Sequence, residues 1–452
     1  MLLSHFRRFH APLLGLLLVP LAASALDIQV SKTEDSLDGA CDVDCSLREA
    51  VVLANSTPGA NRISLGAATY SLTLPTPRDS EGFDILEEDA NLNGDLDITG
   101  TLEIIGAGAE QTLIDGNNND RLFEVLSGAR LVLRNLTLLN GRTSAAGGAL
   151  QNHGHSLLHH VHLRANKATH PFSRGGGGAI DNQGMLEVYW ANFQGNYTSF
   201  GDSGLALGGA LFNQGELLIR DSLFNSNFTS GDDVVALGGA LFNTGVADVA
   251  RSSFLYHSAN GPGATIRNDG SGVLKLTNVT VSGNSFSSAS DNDAAVANGS
   301  YYPMYAGVPS MQLINVTIAG NQTLGLLNYG TLLIRNSLIA GNTGYYEENL
   351  NCLNGGDGYT YQARGLLLGN GPGNCTADLY IENADTFTRL LYPLASNNST
   401  LPSHALRKGS LAVDAGIGSC TAHDQRRLTR PRDGDGDGVA RCDLGAYERA
   451  KP

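Results

Sequence analysis

The amino-acid sequence predicts an all-β fold: a right-handed parallel β-helix (solenoid) with a short N-terminal helical cap and a disulfide-tied C-terminal cap. Three observations predict this fold: a motif that recurs about every 30 residues, a second column of asparagines that trails the motif, and short apolar runs bounded by Gly and Asn. Strands of that length, stacked about 4.8 Å apart, form a parallel solenoid. The general rule for parallel crossovers gives the right-handed sense.

The motif reads Gly-Gly-Ala-x-x-Asn in its four strongest copies. Asparagine tolerates the left-handed backbone of a tight corner, and stacked amides can hydrogen-bond from one rung to the next. The paired glycines let the chain turn where a side chain would clash. The first predicted column comprises Asn152, Asn182, Asn213, Asn243, Asn268, Asn298 and Asn328, and the second comprises Asn166, Asn196, Asn227, Asn260, Asn284, Asn321 and Asn342.

The chain divides into four predicted segments. Residues 1–25 have the pattern of a secretory signal peptide, because two arginines precede a short apolar run and small residues follow at the expected cleavage site. Residues 26–95 are predicted to form the N-terminal cap, 96–368 the solenoid and 369–452 the C-terminal cap module. No later segment is apolar for long enough to span a bilayer, so we expect a secreted or cell-surface protein.

The charge balance narrows the partners. The chain carries 44 acidic and 29 basic residues, for a formal net charge of −15. Nucleic-acid binders normally present a basic face, so no nucleic-acid partner is expected. Binding to acidic polysaccharide or anionic lipid is also disfavoured, unless a basic patch is hidden locally.

The six cysteines lie near the two ends of the chain. An even number in an exported protein predicts disulfides, since the spacings match no zinc pattern. Nearest-neighbour pairing is the simplest of the 15 possible connectivities. It joins Cys41 to Cys45, Cys352 to Cys375, and Cys420 to Cys442.

A helix is predicted directly after Cys45. Ser46-Leu47-Arg48-Glu49 has the pattern of a capping box, and the helix that follows would place Leu47, Ala50, Val51 and Ala54 on one apolar face over the first rung.

Cys45-Ser46-Leu47-Arg48-Glu49-Ala50 matches the hallmark of the CSLREA-domain family letter for letter. The end of the chain resembles the choice-of-anchor Q module, from Val413-Asp414-Ala415-Gly416 through Asp424-Gln425-Arg426 to Cys442-Asp443-Leu444-Gly445-Ala446-Tyr447-Glu448. Arg427 stands where that module usually has glycine. The repeats are similar to those of polymorphic outer-membrane adhesins. The resemblance implies a secreted bacterial right-handed β-helix and implies little about activity.

Two acidic turns are candidate calcium sites of a structural kind. Both place oxygen-bearing side chains at alternate positions of a flexible turn, but neither has the final bidentate glutamate of a complete calcium loop. The alternative is that both are solvated acidic turns. The candidate ligands are Asp433, Asp435 and Asp437 in one turn and Asp89, Asn91, Asn93, Asp95 and Asp97 in the other.

Two further clusters suggest chemistry without fixing it. Histidines crowd one stretch and could bind a transition metal or be exposed polar positions in one divergent rung; they are His153, His155, His159, His160, His162 and His170. Glycoside hydrolysis would need two facing carboxylates. The spacing singles out no pair among Asp202, Asp232, Asp233, Glu187 and Glu216. A buried salt-bridge network is predicted for Asp414, Asp424, Arg426, Arg430, Asp443 and Glu448.

Lengthened loops follow the second asparagine column and are expected to stack into one wall. Exposed aromatic residues in such a wall suggest sugar stacking or a protein contact, unless they fold back over the solenoid. The candidate ligand-binding residues are Tyr197, Phe200, Phe228, Tyr301, Tyr302 and Tyr305. We therefore expect an adhesin-like protein that binds an extracellular glycan or protein surface. The alternative is an extracellular polysaccharide lyase or glycoside hydrolase, for which the sequence identifies no catalytic residue.

Overall fold

The computed structural model describes residues 25–80, 89–170, 174–200, 205–231, 236–260, 264–286, 294–300, 305–344, 350–356 and 358–450. These residues form a right-handed parallel β-helix with a short helix near its N-terminus, which confirms the predicted fold class. One hydrophobic core runs through the stack. The predicted signal peptide lies outside the described residues, apart from Ala25.

Strands line three faces of the solenoid. Face A contains Asp27–Gln29, Ala60–Ser64, Thr101–Ile105, residues 130–134, 155–159, Met185–Tyr189, Glu216–Arg220, Val246–Ala250, Val273–Thr277, Ser310–Ile314, and residues 331–335 and 360–364. Face B contains Thr69–Ser71, Leu113–Asp115, residues 136–139, 161–164, Asn192–Gln194, Leu223–Asn225, Ser253–Leu255, Thr280–Ser282, Thr317–Ala319, residues 337–340 and 366–369, and Leu379–Ile381. Four long strands span both faces: Arg130–Leu139, His155–Arg164, Thr331–Ala340 and Thr360–Gly369.

Face C contains Leu96–Ile98, Phe123–Val125, Leu150–Asn152, Ile180–Asn182, Leu211–Asn213, Leu241–Asn243, Ala264–Asn268, Ala294–Asn298, Leu324–Asn328 and Cys352–Asn354. A fourth sheet contains Arg142–Thr143, Lys167–His170, Tyr197–Phe200, Phe228–Gly231, Ser258–Asn260 and Ser285–Phe286. A small outer sheet contains Arg174–Gly176, Leu205–Leu207 and Ala236–Leu237. The positions expected to be loops after the second asparagine column therefore begin as stacked strands.

The first asparagine column forms a continuous ladder of side-chain amides. Each Nδ2 donates to the Oδ1 of the next asparagine, from 2.7 Å between Asn152 and Asn182 to 2.9 Å between Asn328 and Asn354. The same bond joins Asn213 to Asn243 at 2.7 Å. Because an unsatisfied buried amide costs about 1–3 kcal/mol, each rung holds its neighbour in register.

The second ladder departs from the sequence prediction at one rung. Asn196 donates to Asn227 at 2.9 Å, and Asn284 donates to Asn321 at 2.7 Å. Between them stands His257 and not Asn260, which belongs to a strand of the fourth sheet. The Nδ1 of His257 accepts the backbone N–H of Asn227 at 3.0 Å, and the backbone N–H of His257 donates to the Oδ1 of Asn284 at 2.8 Å. The column prediction was wrong here because His257, 30 residues after Asn227, occupies the ladder position, whereas Asn260 lies three residues further on, opposite Ser230 in the fourth sheet.

The expected left-handed backbone belongs to other residues. None of the described ladder asparagines has a positive φ. Instead, the residue directly before each member of the second ladder does, as at Ala165 (φ 55°) and Gly195 (φ 63°). A second left-handed column lies between faces A and B; it comprises Asn135, His160, Trp190, Asp221, Arg251, Asn278, Asn315, Asn336 and Gly365. The ladder asparagines are therefore selected for their amides, and the corners are made by their neighbours.

The paired glycines of the motif have two separate roles. Gly177 has a φ of 69°, in the region that favours glycine. Gly178 is crowded: a Cβ there would lie 2.2 Å from the carbonyl oxygen of Gly209 on the next rung. The predicted steric role of the glycine pair is confirmed.

The helix Leu47–Ser56 caps the first rung. It occupies the position that face C strands occupy in later rungs. The side-chain amide of Asn55 binds the edge of the first face C strand: its Nδ2 donates to the Asp97 carbonyl at 2.6 Å, and its Oδ1 accepts the Thr99 N–H at 3.1 Å. Its predicted apolar face is buried. The edge of face C is thus covered rather than left open to another chain.

Ser46 and Glu49 fix the start of this helix. The Ser46 hydroxyl accepts the Glu49 N–H at 3.1 Å, and Glu49 accepts the Ser46 N–H at 2.7 Å, which completes the predicted capping box. Glu49 also accepts from the Ser36 hydroxyl at 2.9 Å. These bonds to the charged form hold the pKa of Glu49 below its usual value, although burial acts in the opposite direction.

Arg48 ties the helix to the turn before face C. Its fully buried guanidinium pairs with both oxygens of Asp35, at 2.8 and 3.0 Å. It also donates to the carbonyls of Asn93, Gly94 and Asp95, at 3.2, 2.6 and 2.9 Å. A lysine could not make this set of planar, bidentate contacts.

The stack extends beyond both predicted boundaries. Asp27–Gln29 pairs with Ala60–Ser64, which pairs in turn with Thr101–Ile105, so parallel pairing begins well before residue 96. At the other end, Leu379–Ile381 still pairs with Thr360–Gly369.

Residues 402–449, which we call the lateral segment, lie along face B, whereas the sequence predicted a cap over the end. Gln425 bonds to Thr280 at 2.6 Å and to Ser253 at 2.7 Å, and the N–H of Ala446 donates to Thr317 at 2.9 Å. These partners lie on successive rungs. The outer side of face B carries small and apolar residues there, so a lateral cover removes them from water.

The three nearest-neighbour disulfides are confirmed. Cys352–Cys375 ties the last face C strand to the loop between Thr360–Gly369 and Leu379–Ile381, and Cys420–Cys442 closes the lateral segment on itself. Cys41–Cys45 precedes the helix. The segment before the helix and the lateral segment contain little regular structure of their own, so a covalent link shortens the loops that must be ordered.

We predict that His257 makes the stack acid-sensitive. Burial lowers the pKa of His257 from 6.5 to about 4, so the folded protein binds fewer protons than the unfolded chain between those values. Stability is retained above pH 6.5 and falls as the pH drops toward 4, by up to about 3 kcal/mol for this group. His257→Asn, which restores an amide to the ladder, should flatten that fall in urea unfolding measured from pH 7 to 4.

His404 provides the comparison, because burial also lowers its pKa and it lies outside the ladder. His404→Asn should leave the share due to His257 in place. An acid profile of His257→Asn that matches the wild type would contradict the assignment.

Candidate functional site

An acidic cluster forms where the N-terminal cap meets face C. Carboxylate oxygens of Asp89, Asp97 and Glu124 lie within 4.8 Å of one another. Asp97 is fully buried and Asp89 is exposed, so the cluster connects the interior with solvent.

The other predicted ligands of this turn have different partners. Asn91 shapes the turn: its Oδ1 accepts the Asp97 N–H at 2.9 Å and its Nδ2 donates to the Asp97 carbonyl at 3.1 Å. Asp95 pairs with Arg121 at 2.9 Å, and the carbonyl of Asn93 accepts from Arg48. Of the five predicted ligands of this turn, the carboxylates of Asp89 and Asp97 lie in the cluster.

The second cluster lies in the lateral segment and contains Asp414, Asp433 and Asp435 within 4.8 Å. Asp414 Oδ2 accepts the N–H groups of Gly434 and Asp435, at 3.0 and 2.9 Å, which folds the acidic turn onto it. Burial, and then the neighbouring Asp435 charge, raise the pKa of Asp414. Like charges crowded in this way are what a divalent cation would relieve.

Asp437 lies outside this cluster, contrary to the spacing argument. Its Oδ1 accepts the Val439 N–H at 2.7 Å, and its Oδ2 lies 3.6 Å from an Arg441 nitrogen. The spacing missed Asp414, which lies about 20 residues earlier in the chain. Both clusters offer only oxygen ligands, so each could hold a hard metal ion.

The predicted salt-bridge network forms inside the lateral segment. Arg426 pairs with Asp424 at 2.7 Å, and fully buried Arg430 lies 3.2 Å from Glu448. Burial, followed by the charge of Glu448, raises the pKa of Asp443 to about 7. The network is structural, since its members use their hydrogen bonds on one another and on backbone groups.

The histidines do not converge. His155 lies 3.0 Å from Glu187, and His162 lies 3.0 Å from Glu110. No described histidine belongs to a group of three potential metal ligands. The clustering in sequence places them on different columns of one rung, where His153, His155 and His162 each have a separate acidic neighbour, and His159 lies against His160.

The aromatic candidates separate into two groups. Tyr197 and Phe228 are stacked, cross-strand partners in the fourth sheet, with centroids 5.5 Å apart and planes at 8°. Both are half-buried and lie in line with Lys167. Tyr305 instead packs near Phe242 against the outer side of face C. Tyr301 and Tyr302 lie outside the described residues, as does the side chain of Phe200.

A column that the sequence analysis did not find runs beside these surfaces. His160 stacks on Trp190 at 5.3 Å, and the Arg427 guanidinium lies 5.1 Å from the Trp190 ring. Arg427 pairs with both oxygens of Asp221, at 2.9 and 2.8 Å, as does Arg251. Arg427 has a φ of 68°, the region that glycine favours. In the sequence, the sign of this contact was an arginine at a position where the similar module has glycine. A strained backbone conformation of that kind persists where the side chain makes a compensating contact.

Comparisons with known proteins add little. No family model matches the chain, and no curated protein matches it. Among solved structures, pectate lyase Pel9A is similar over 94% of this chain and 97% of its own, at 12% sequence identity and a TM-score of 0.43. Among the described residues, no helix is long and apolar enough to cross a membrane.

We predict that Arg427 can be followed through the one tryptophan of the chain. Arg427→Gly relieves a left-handed backbone but removes the cation above Trp190, so the emission of Trp190 should change. The net change in unfolding free energy should stay within about 1 kcal/mol, because buried Asp221 keeps Arg251 as a partner and relief of the backbone strain offsets the lost contact.

Arg427→Asn, which also tolerates the left-handed region, should give the same emission change, whereas exposed Arg389→Gln should give none. Identical spectra for wild type and both Arg427 variants would refute the contact.

Proposed function

We propose that this protein is a secreted β-helix binding protein, adhesin-like, that holds an extracellular glycan or matrix surface on its outer faces. The stacked pair Tyr197–Phe228 carries the proposal. Two half-buried rings at consecutive rungs offer a ridge of apolar surface beside Lys167, which suits the apolar faces and hydroxyl edges of sugars. The three disulfides are consistent with an oxidising compartment outside the cell.

Binding without hydrolysis is the better-supported reading. Glu187 is one of the two candidate acids that the structure describes, and it accepts from the Tyr189 hydroxyl at 2.8 Å and lies 3.0 Å from His155. Asp202, Asp232 and Asp233 lie outside the described residues. Glu187 is therefore engaged by neighbouring side chains of face A.

The test is a glycan array probed with residues 26–452. Wild-type protein should retain at least one glycan, and Tyr197→Ala with Phe228→Ala should lose it. The matched control is Tyr256→Ala, because Tyr256 is an exposed tyrosine outside the stacked pair, directly before His257 of the second ladder. A reducing-sugar assay on the retained glycans should remain at background. Release of reducing ends, or binding that survives the double substitution, would reject the proposal.

We further propose that the two acidic clusters bind structural calcium. Calcium that binds the folded state alone adds about 2.7 kcal/mol at a hundredfold excess over its dissociation constant. The melting temperature should therefore rise in millimolar calcium relative to chelator, with a smaller effect of magnesium, whose strict octahedron fits irregular turns poorly.

The substitutions that should reduce the calcium effect are those of residues inside the two acidic clusters. Asp435→Asn should remove part of the calcium-induced shift and Asp89→Asn another part, whereas Asp437→Asn should leave the shift intact. Melting curves that coincide in calcium and chelator would make both clusters ordinary acidic turns.

A further inference from the structure

A cleft of about 670 Å³ opens on the outer side of face A at its last three rungs. Its lining includes Gln312, Leu333, Arg335, Tyr361, Gln362 and Arg364, with no acidic residue. One wall is the lateral segment, since Gly418 lies beside the Arg364 guanidinium and Ser419 accepts from Arg335 at 3.3 Å.

Earlier rungs of face A balance their cations. Arg134 pairs with Glu103 at 2.8 Å, Arg220 with Asp248 at 3.0 Å, and Lys275 lies 3.7 Å from Asp248. Beyond Asp248, the same outward column continues as Lys275, Gln312, Leu333 and Gln362. The acidic partners therefore stop where the cleft begins.

Arg335 and Arg364 are directly opposite each other on neighbouring strands. Like charges in that position destabilise a sheet. Neither arginine forms an ion pair within the described part of the chain, and Arg335 Nε is buried without a hydrogen-bond partner. Asp378 lies nearby, but its Oδ2 accepts the N–H groups of Gly365 and Leu366, at 2.7 and 3.0 Å. Among the residues that the structure describes, these two adjacent guanidinium groups thus have no paired anion.

We propose that this cleft binds the carboxylates of an acidic oligosaccharide, with Arg335 and Arg364 as the carboxylate-binding residues. The inference rests on the proposed glycan-binding function and names its ligand class. Two strands about 4.8 Å apart place two planar, five-donor groups along the axis of the solenoid, suited to charges repeated along an extended sugar chain. Gln312 and Gln362 are exposed beside them and can bond to hydroxyls, and the exposed part of Leu333 offers apolar contact.

The charge of the rest of the molecule favours binding of an acidic ligand at this cleft alone. At a net charge of −15, most of the surface repels an acidic chain. A site with two unbalanced cations is the exception, so an acidic ligand should bind in one place. A neutral sugar would leave both guanidinium groups unpaired.

The test is calorimetric titration of residues 26–452 with β-1,4-linked tetramannuronate and with mannotetraose. Each sugar unit carries a carboxylate in the first and a neutral hydroxymethyl group in the second. Chelator is present throughout, so that calcium cannot bridge the ligand to the acidic clusters. Tetramannuronate should bind at least tenfold tighter than mannotetraose and weaken as salt rises. Arg364→Gln should weaken it about tenfold.

Lys275→Gln removes one cation from the same face outside the cleft and should change affinity less than twofold. Arg335→Lys retains the charge without the planar fork and should weaken binding, which separates geometry from charge. Arg364 is exposed and forms no ion pair with a described residue, and its removal relieves repulsion from Arg335, so Arg364→Gln should not lower the melting temperature.

Equal affinity for the two sugars, or tetramannuronate binding that Arg364→Gln does not alter, would overturn the inference while leaving the proposed glycan binding standing. Binding of neither sugar would overturn the inference, and the array result on the aromatic pair would then decide the proposed function separately. Preferential binding of a peptide through its terminal carboxylate would also overturn it.

Discussion

Two columns of buried amides hold this molecule in register. In the first, the Nδ2 of each asparagine satisfies the Oδ1 of the next without interruption from Asn152 to Asn354. An amide in an apolar interior costs free energy unless it is bonded, and the observed stacking of the rungs bonds each of these amides to the next. A slip of one residue would break every bond in the column. The apolar stacks, such as Phe193, Phe224 and Phe254 at 4.3 and 4.5 Å, gain their alignment from this constraint.

The periodic part of the structure could be predicted because its causes are local and repeated. The fold class, the first ladder, the glycine pair, the capping box and the three disulfides all follow from patterns within a rung or a turn. The failures share a different cause. His257 takes the ladder position at a rung where the nearest asparagine, Asn260, lies three residues further along the chain, and Asp414 enters an acidic cluster from a distant part of the chain. Spacing along one segment cannot show a partner that arrives by tertiary folding.

The lateral segment is the clearest case of this limit. A segment that follows the last rung can cover the end of a solenoid or return along its side, and composition does not distinguish the two. The outer side of face B decides it: Ala319, Leu338 and Ala340 are apolar and fully buried, so they require a cover. The segment achieves this with few regular elements, by means of a disulfide and a buried ion-pair network whose charges would be costly if left unpaired.

That arrangement also decides where a ligand can bind. The lateral segment covers the later strands of face B, from Ser253 onward, and the small outer sheet packs Leu205, Leu207 and Leu237 over Phe212 and Phe242 of face C. Face A and the fourth sheet provide outward strand surfaces beside these two covers. The aromatic ridge lies on one and the arginine cleft on the other. A binding protein of this architecture gains a long, regular surface from the repeat, and its specificity must come from the few rungs where the outward residues break the pattern. On the fourth sheet these are the stacked rings of Tyr197 and Phe228. On face A they are the guanidinium groups of Arg335 and Arg364, which lie beyond the last acidic residue of the outward column.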